Sequence, residues 1–266
     1  MKTLFLIPQY QTTCTVKTNC ALLEKQLMLK YGSYLSLSSA PTDYTIRATK
    51  TENNYTIETP TENFESDSPL HEIDKFLFDH TEYDPHILAL HGAAVEWKGK
   101  CHLFLAATTS GKTTLTSYLC QKGFGYLTDD CILLDRQSLC VHPFATPIQL
   151  RSGGVDVLKR YNALPSKLER LEEGNTLLRY VYTPSNIPSK AVPLANLFFI
   201  ERTDDENALM EMSTTERITG LMRSPITNYP ITGDYLRLLS NLSKSIPCYR
   251  LRYHDMNYVK ELIQNG

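Results

Sequence analysis

The segment Cys101-His-Leu-Phe-Leu-Ala-Ala-Thr-Thr-Ser-Gly-Lys-Thr-Thr-Leu115 limits the folds open to this chain more than any other. An apolar run, Leu103-Phe104-Leu105, passes through small residues into helix formers that place Leu115 and Leu119 at helical spacing. Buried strand, tight loop and helix, in that order, are the setting of a phosphate-binding loop, whose pattern is Gly, any four residues, then Gly-Lys-Ser/Thr. Gly111-Lys112-Thr113 is intact, and Ala106 stands at the first Gly position. Backbone N–H groups from Thr108 through Thr109, Ser110 and Gly111 to Thr113 would converge on phosphate, aided by the positive end of the helix, whose first turn includes Thr114. Lys112 would bridge the terminal phosphates as a point charge, and the Thr113 hydroxyl would complete an oxygen shell on Mg²⁺.

Composition narrows the class of protein around that loop. With 266 residues, 42% of them hydrophobic and 21% charged, the chain is long enough to bury a sizeable core. A formal charge of −2 creates no global field for nucleic acid or an anionic membrane, so neither is expected as a partner. The apolar run in Met1-Lys-Thr-Leu-Phe-Leu-Ile-Pro8 ends too early for a signal-peptide core and reads as the first strand. Seven cysteines are odd in number, scattered and free of any Cys-x-x-Cys pair, which fits reduced thiols in a cytoplasmic protein.

Along the chain, Leu22, Leu23, Leu27, Met28 and Tyr31 fall at helical spacing between Asn19, a candidate N-cap, and Gly32, a stop. Residues 44–48 and 55–58 alternate about Glu52-Asn53-Asn54 and read as a hairpin. Residues 59 to 69 are polar with two prolines, a loop and the best boundary. The division expected is a small N-terminal α+β unit at 1–65 and a catalytic domain at 66–266. Pro69 opens a helix behind Ser68, strands follow at Ile87–His91 and Ala93–Trp97, and Lys98-Gly99-Lys100 turns into the loop's strand. Further on come a helix at 154–161, a basic cluster of Arg151, Lys159, Arg160, Lys167 and Arg170 interleaved with Glu169, Glu172 and Glu173 that reads as a solvated helix face, and strands at 177–182 and 194–200. Ser213-x-x-Glu216 is a capping box, followed by a helix from Gly233, a strand from Cys248 and a last helix from Met256.

Asp129-Asp130 lies between two short strands shortly after the phosphate loop. Side chains alternate across a strand, so both acids can serve one site only where the chain bends. A metal-facing acid beside a base is what a phosphoryl site needs there.

His91-Gly92-Ala93, the loop ending in Gly111-Lys112-Thr113, Gly123, Asp129-Asp130 and Pro147-Ile-Gln-Leu-Arg151 together resemble the catalytic domain of HPr kinase/phosphorylase and its relatives. That group includes kinases found with lasso-peptide clusters and is similar in fold, more distantly, to phosphoenolpyruvate carboxykinase. The resemblance implies an α/β fold, a phosphoenolpyruvate carboxykinase-like P-loop domain with a mixed β-sheet core, and use of ATP and Mg²⁺. By the same resemblance Asp130 accepts the proton of a substrate hydroxyl, Asp129 belongs to the Mg²⁺ environment, His91 sits near the terminal phosphate and Arg151 neutralises the transferring group. Thr114 stands where HPr kinase carries a Glu, and Gln149, able to coordinate through its carbonyl oxygen, stands where it carries a metal-binding Glu. Thr108 and Thr109 replace its usual Ser and Gly. These departures argue against HPr as substrate and against a paired phosphorylase activity.

The expectation is therefore a kinase acting on a hydroxyl, of Ser or Thr in a peptide or protein. A kinase of a small-molecule hydroxyl and a nucleotide-binding regulatory module with weakened catalysis are the alternatives, and a homo-oligomer is left open.

Overall fold

A computed structural model of the chain describes residues 2–5, 13–36, 42–52, 54–80, 86–107, 110–173, 177–226 and 232–266. It is a mixed α/β structure that divides into two compact units. The first comprises Met1–Pro85, Thr146–Ser152 and Ser166–Thr183, and the second His86–Ala145, Gly153–Pro165 and Pro184–Gly266. The division is interleaved, where the sequence suggested a single cut after residue 65.

The first unit opens with β1 (Lys2–Phe5), β2 (Thr13–Thr18), α1 (Ala21–Tyr31), β3 (Leu35–Ser36), β4 (Tyr44–Lys50), β5 (Tyr55–Glu58), β6 (Asn63–Ser66) and α2 (Pro69–His80). Its main sheet has the order β3-β1-β2-β4-β5-β6, with β2 and β4 parallel and β4–β5 the expected hairpin. Later segments add β13 (Ile148–Leu150), β14 (Glu169–Glu173) and β15 (Leu177–Tyr182), an antiparallel sheet in the order β13-β15-β14. One core explains why distant segments join. Val16, Ile46 and Ile57 from the main sheet, Leu23 and Leu27 from α1, Ile73 and Phe76 from α2, and Leu171 and Val181 from the second sheet form one buried cluster. Each such side chain, fully buried, stabilises by about 1.5–3 kcal/mol.

Three local expectations are corrected here. Cys20, not Asn19, is the N-cap of α1 and makes no side-chain cap bond; the Asn19 amide oxygen is engaged elsewhere, accepting from the Lys50 backbone N–H at 2.7 Å. Residues 63–66 pair with β5 as a strand inside the stretch read as a loop. Residues 169–173 form a strand, since pairing with β15 outweighs the helical look of their charges.

The second unit holds β7 (Ile87–His91), β8 (Ala93–Trp97), β9 (Lys100–Leu105), α3 (Lys112–Gln121), β10 (Gly125–Thr128), β11 (Cys131–Asp135), β12 (Cys140–His142) and α4 (Ser152–Arg160), whose first residue falls to the other unit. Then come β16 (Val192–Arg202), β17 (Ala208–Glu211), α5 (Thr214–Met222), α6 (Gly233–Ser245), β18 (Cys248–Tyr253) and α7 (Met256–Asn265). The sheet order is β10-β8-β9-β16-β12-β11-β7, and the long β16 also takes β18, which carries β17. β9, β16 and β18 run parallel and the other pairs antiparallel, so the sheet is mixed. Leu103, Leu105, Ile132, Leu197, Leu239 and Leu242 are among the side chains of its core.

Candidate functional site

The site in the second unit is built at the end of β9. The chain leaves Leu105, passes Ala106 and Ala107, and re-enters regular structure at Gly111, which caps α3 in a left-handed conformation (φ 92°, ψ 8°). That conformation suits Gly and strains a side chain. Lys112, the first residue of α3, is only 7% exposed. Its ammonium folds back over the loop and donates to the carbonyls of Ala106 at 2.8 Å and Ala107 at 3.1 Å. A buried cation within reach of two loop carbonyls is poised to serve an anion held by the same loop.

Two carboxylates and an imidazole face this lysine. Asp129 and Asp130 form the bend between β10 and β11, where the Cys131 N–H donates to the Thr128 hydroxyl at 3.3 Å. The chain bends where the two acids stand, as sharing one site requires, and their exposures differ. Asp129 is 4% exposed, whereas Asp130 is exposed. His91 ends β7 opposite Cys131, and the Gly92 N–H donates to the Asp130 carbonyl at 3.3 Å. Gly92 is needed there: a Cβ would lie 2.6 Å from Ile132 Cδ1, 2.7 Å from Leu105 Cδ2 and 2.8 Å from the Phe104 carbonyl oxygen. The missing side chain lets the backbone that follows His91 run close to the loop's strand.

The electrostatics show that these groups share one space. Burial, then the charge of Asp130, pushes the Asp129 carboxyl up to about 8, against a hydrogen bond from the Thr113 hydroxyl and the charge of Lys112. Burial lowers the Lys112 ammonium, while Asp129 and Asp130 act to raise it. Burial and then Lys112 lower His91, opposed by the Asp130 carboxylate and main chain. Among the described residues, buried Asp129 Oδ1 has no hydrogen-bond partner, nor has Ser110 Oγ. An unsatisfied carboxylate oxygen beside a Thr hydroxyl is a hard-oxygen donor pair that fits Mg²⁺, which takes one or two protein ligands and completes its shell with phosphate and water. Among the described residues no three His, Cys, Asp or Glu side chains cluster as a protein-only metal cage.

His91, Lys112, Thr113, Asp129 and Asp130 are thus brought together, with Ser110 and Gly111 in the loop and Thr114 in the first turn of α3. Thr108 and Thr109 lie outside the described residues. Gln149, half-buried on β13 opposite Val181, and the exposed Arg151 after it belong to the first unit. They are not among the residues the second unit itself assembles.

A cation missed in the sequence stands beside the loop instead. Arg202 ends β16 level with Tyr253 at the end of β18. A Cβ on Gly111 would lie 3.2 Å from Tyr253 Oη and 3.8 Å from Arg202 Cδ. Gly111, Thr114, Val157, Tyr161, Arg202, Tyr253, His254 and Met256 line one recess. No motif points to Arg202 or Tyr253; their only sequence signal is a position at the end of a strand.

No protein-family model matches the chain, and no curated protein matches it. Among solved structures it is similar to the HPr(Ser) kinase/phosphatase from Coxiella burnetii, at 10% identity and a TM-score of 0.28, over 66% of this chain and 94% of that one. A likeness at that level fixes neither the architecture nor the chemistry of this chain. Among the described residues no helix is long and apolar enough to cross a membrane.

Proposed function

We propose that the second unit is an ATP- and Mg²⁺-dependent kinase that phosphorylates a hydroxyl. The observation that carries the reading is the convergence of Lys112, Thr113, Asp129, Asp130 and His91 at the end of β9, each sensed electrostatically or by hydrogen bond by another. Phosphoryl transfer depends mostly on positioning and charge stabilisation, and these residues supply both. Thr113 and Asp129 would hold Mg²⁺, which when bound neutralises charge on the phosphates. Lys112 would exchange the loop carbonyls for phosphate oxygens, and the N–H groups at the start of α3 would bind the rest of the anion. His91, half-buried and biased toward its neutral form, would orient the terminal phosphate.

Asp130 would take the acceptor's proton as the acceptor oxygen bonds to the terminal phosphorus. The bond from that phosphorus to its bridging oxygen breaks, and the nucleoside diphosphate leaves. Asp130 is exposed, which supports an acceptor as large as a Ser or Thr on a peptide or protein chain; a small-molecule hydroxyl is the second arm of the test. The experiment incubates purified protein with labelled ATP, Mg²⁺ and panels of both acceptor classes. Asp130→Asn is expected to lower transfer ~10²–10⁴-fold with ATP binding retained. Lys112→Ala is expected to weaken binding as well. Transfer unchanged in both variants would remove this mechanism.

A further inference from the structure

The phosphate loop has two neighbourhoods, and they differ in chemistry. β8 lies on one side of β9 and β16 on the other. Asp129 and Asp130 follow β10, which pairs with β8, and His91 sits two residues before β8 begins. Arg202 and Tyr253 end β16 and β18, on the other side. A linear chain of phosphates that turns its terminal phosphorus toward the acids must direct its opposite end across Gly111 and Thr114, toward Arg202.

What stands there is a shallow seat, with Arg202 and His254 exposed at its rim. Val157 and Met256, 8% and 4% exposed, form an apolar floor. Tyr161 is fixed beside it: its hydroxyl accepts from the Met256 N–H at 3.4 Å and donates to the His254 carbonyl at 3.5 Å, and its ring packs edge-on against Tyr118 with centroids 5.5 Å apart. A ring held in place offers its face to a planar base at little entropic cost. Arg202 is partnered differently from its sheet neighbours. Arg250 pairs with Glu216, and Arg252 pairs with Glu201 and Glu206. Among the described residues no carboxylate pairs with Arg202, and its charge is felt instead at the Tyr161 and Tyr253 phenols. An arginine without a carboxylate, held against the glycine of a phosphate loop, is suited to a phosphate oxygen.

We infer that this recess takes the nucleoside end of a nucleoside triphosphate, with Arg202 on the phosphate nearest the ribose and the base against Tyr161. The inference rests on the nucleotide reading above and adds the polarity with which the nucleotide lies. Titration calorimetry on the full chain, comparing ATP with inorganic tripolyphosphate, each with Mg²⁺, tests both and separates them. The native chain is expected to bind ATP ~10-fold or more tightly than tripolyphosphate. Tyr161→Ala should remove that difference and leave tripolyphosphate unchanged, whereas Arg202→Gln should weaken both. Equal affinity for the two ligands, or ATP binding unchanged in Tyr161→Ala, overturns the inference and leaves the phosphate site standing. Binding of neither ligand by the native chain overturns the nucleotide reading and the inference with it. If Tyr161→Ala loses tripolyphosphate too, the exposed Arg202→Gln decides: weaker ATP binding supports the seat, and unchanged binding removes it.

Discussion

Asp129 stands in an environment that its own charge resists. It is buried, its Oδ1 has no partner among the described residues, and Asp130 adds a like charge, so the fold tolerates this carboxyl rather than relying on it. Asp129→Asn is therefore expected to leave the melting temperature within a few degrees of the native value, while the Mg²⁺ dependence of ATP binding is lost; a Mg²⁺ titration followed by calorimetry checks this. Gly92 is the opposite case. Any side chain there meets the Phe104 carbonyl oxygen, which cannot swing aside, so Gly92→Ala should cost about 1–3 kcal/mol in urea unfolding. His102, 3% exposed, lies beside Asn196 with 3.3 Å between Nδ1 and the amide nitrogen, and burial lowers its pKa to about 4. In the unfolded chain it titrates near 6.5. Between those values the unfolded state binds more protons, so stability falls as pH drops through the window, by a few kcal/mol at most. Denaturation at pH 7 and pH 4.5 should show this loss, and His102→Gln should remove that component. At this scale Lys112, Thr113, Asp129 and Asp130 were legible because a motif and a local spacing announce them, and His91 through its place before Gly92. Arg202, Tyr161 and Tyr253 were not, because the chain gathers them from strand and helix ends far apart in sequence.

Elements were legible where their signal is local. α2 starts behind Ser68, as Ser-Pro predicts, and α5 has the full capping box: Glu216 Oε2 accepts from the Ser213 N–H at 2.9 Å and the Ser213 hydroxyl accepts from the Glu216 N–H at 3.4 Å. Ser213→Ala is expected to lower stability by about 0.5–2 kcal/mol in thermal unfolding. β6 and β17 have only four residues each, too few for periodicity to identify; pairing with the neighbouring β5 defines β6, and pairing with β18, distant in sequence, defines β17. β14 is the sharpest instance. Its charged residues fit a solvated helix equally well until β15 pairs beside it.

On the scale of the molecule, the candidate site of the second unit is built on the loop between β9 and α3, and each unit has its own buried cluster. Calorimetric unfolding should show two transitions, and only one should move with Mg²⁺ and ATP, by about 2.7 kcal/mol at a hundred times Kd. A single transition shifting as a whole would contradict this. The mixed α/β class and the loop's place in it could be read from residues, but the domain cut could not, since the first unit borrows from beyond the loop. That borrowing sets a timetable for synthesis. Leu23, Ile46 and Ile57 are made early, but the strand bearing Val181 leaves the ribosome late, on the order of 5–20 s after Pro85 at ~5–20 residues per second. Through that interval the N-terminal cluster lacks the cover that Leu171 and Val181 supply, so apolar surface stays open on the nascent chain until they emerge.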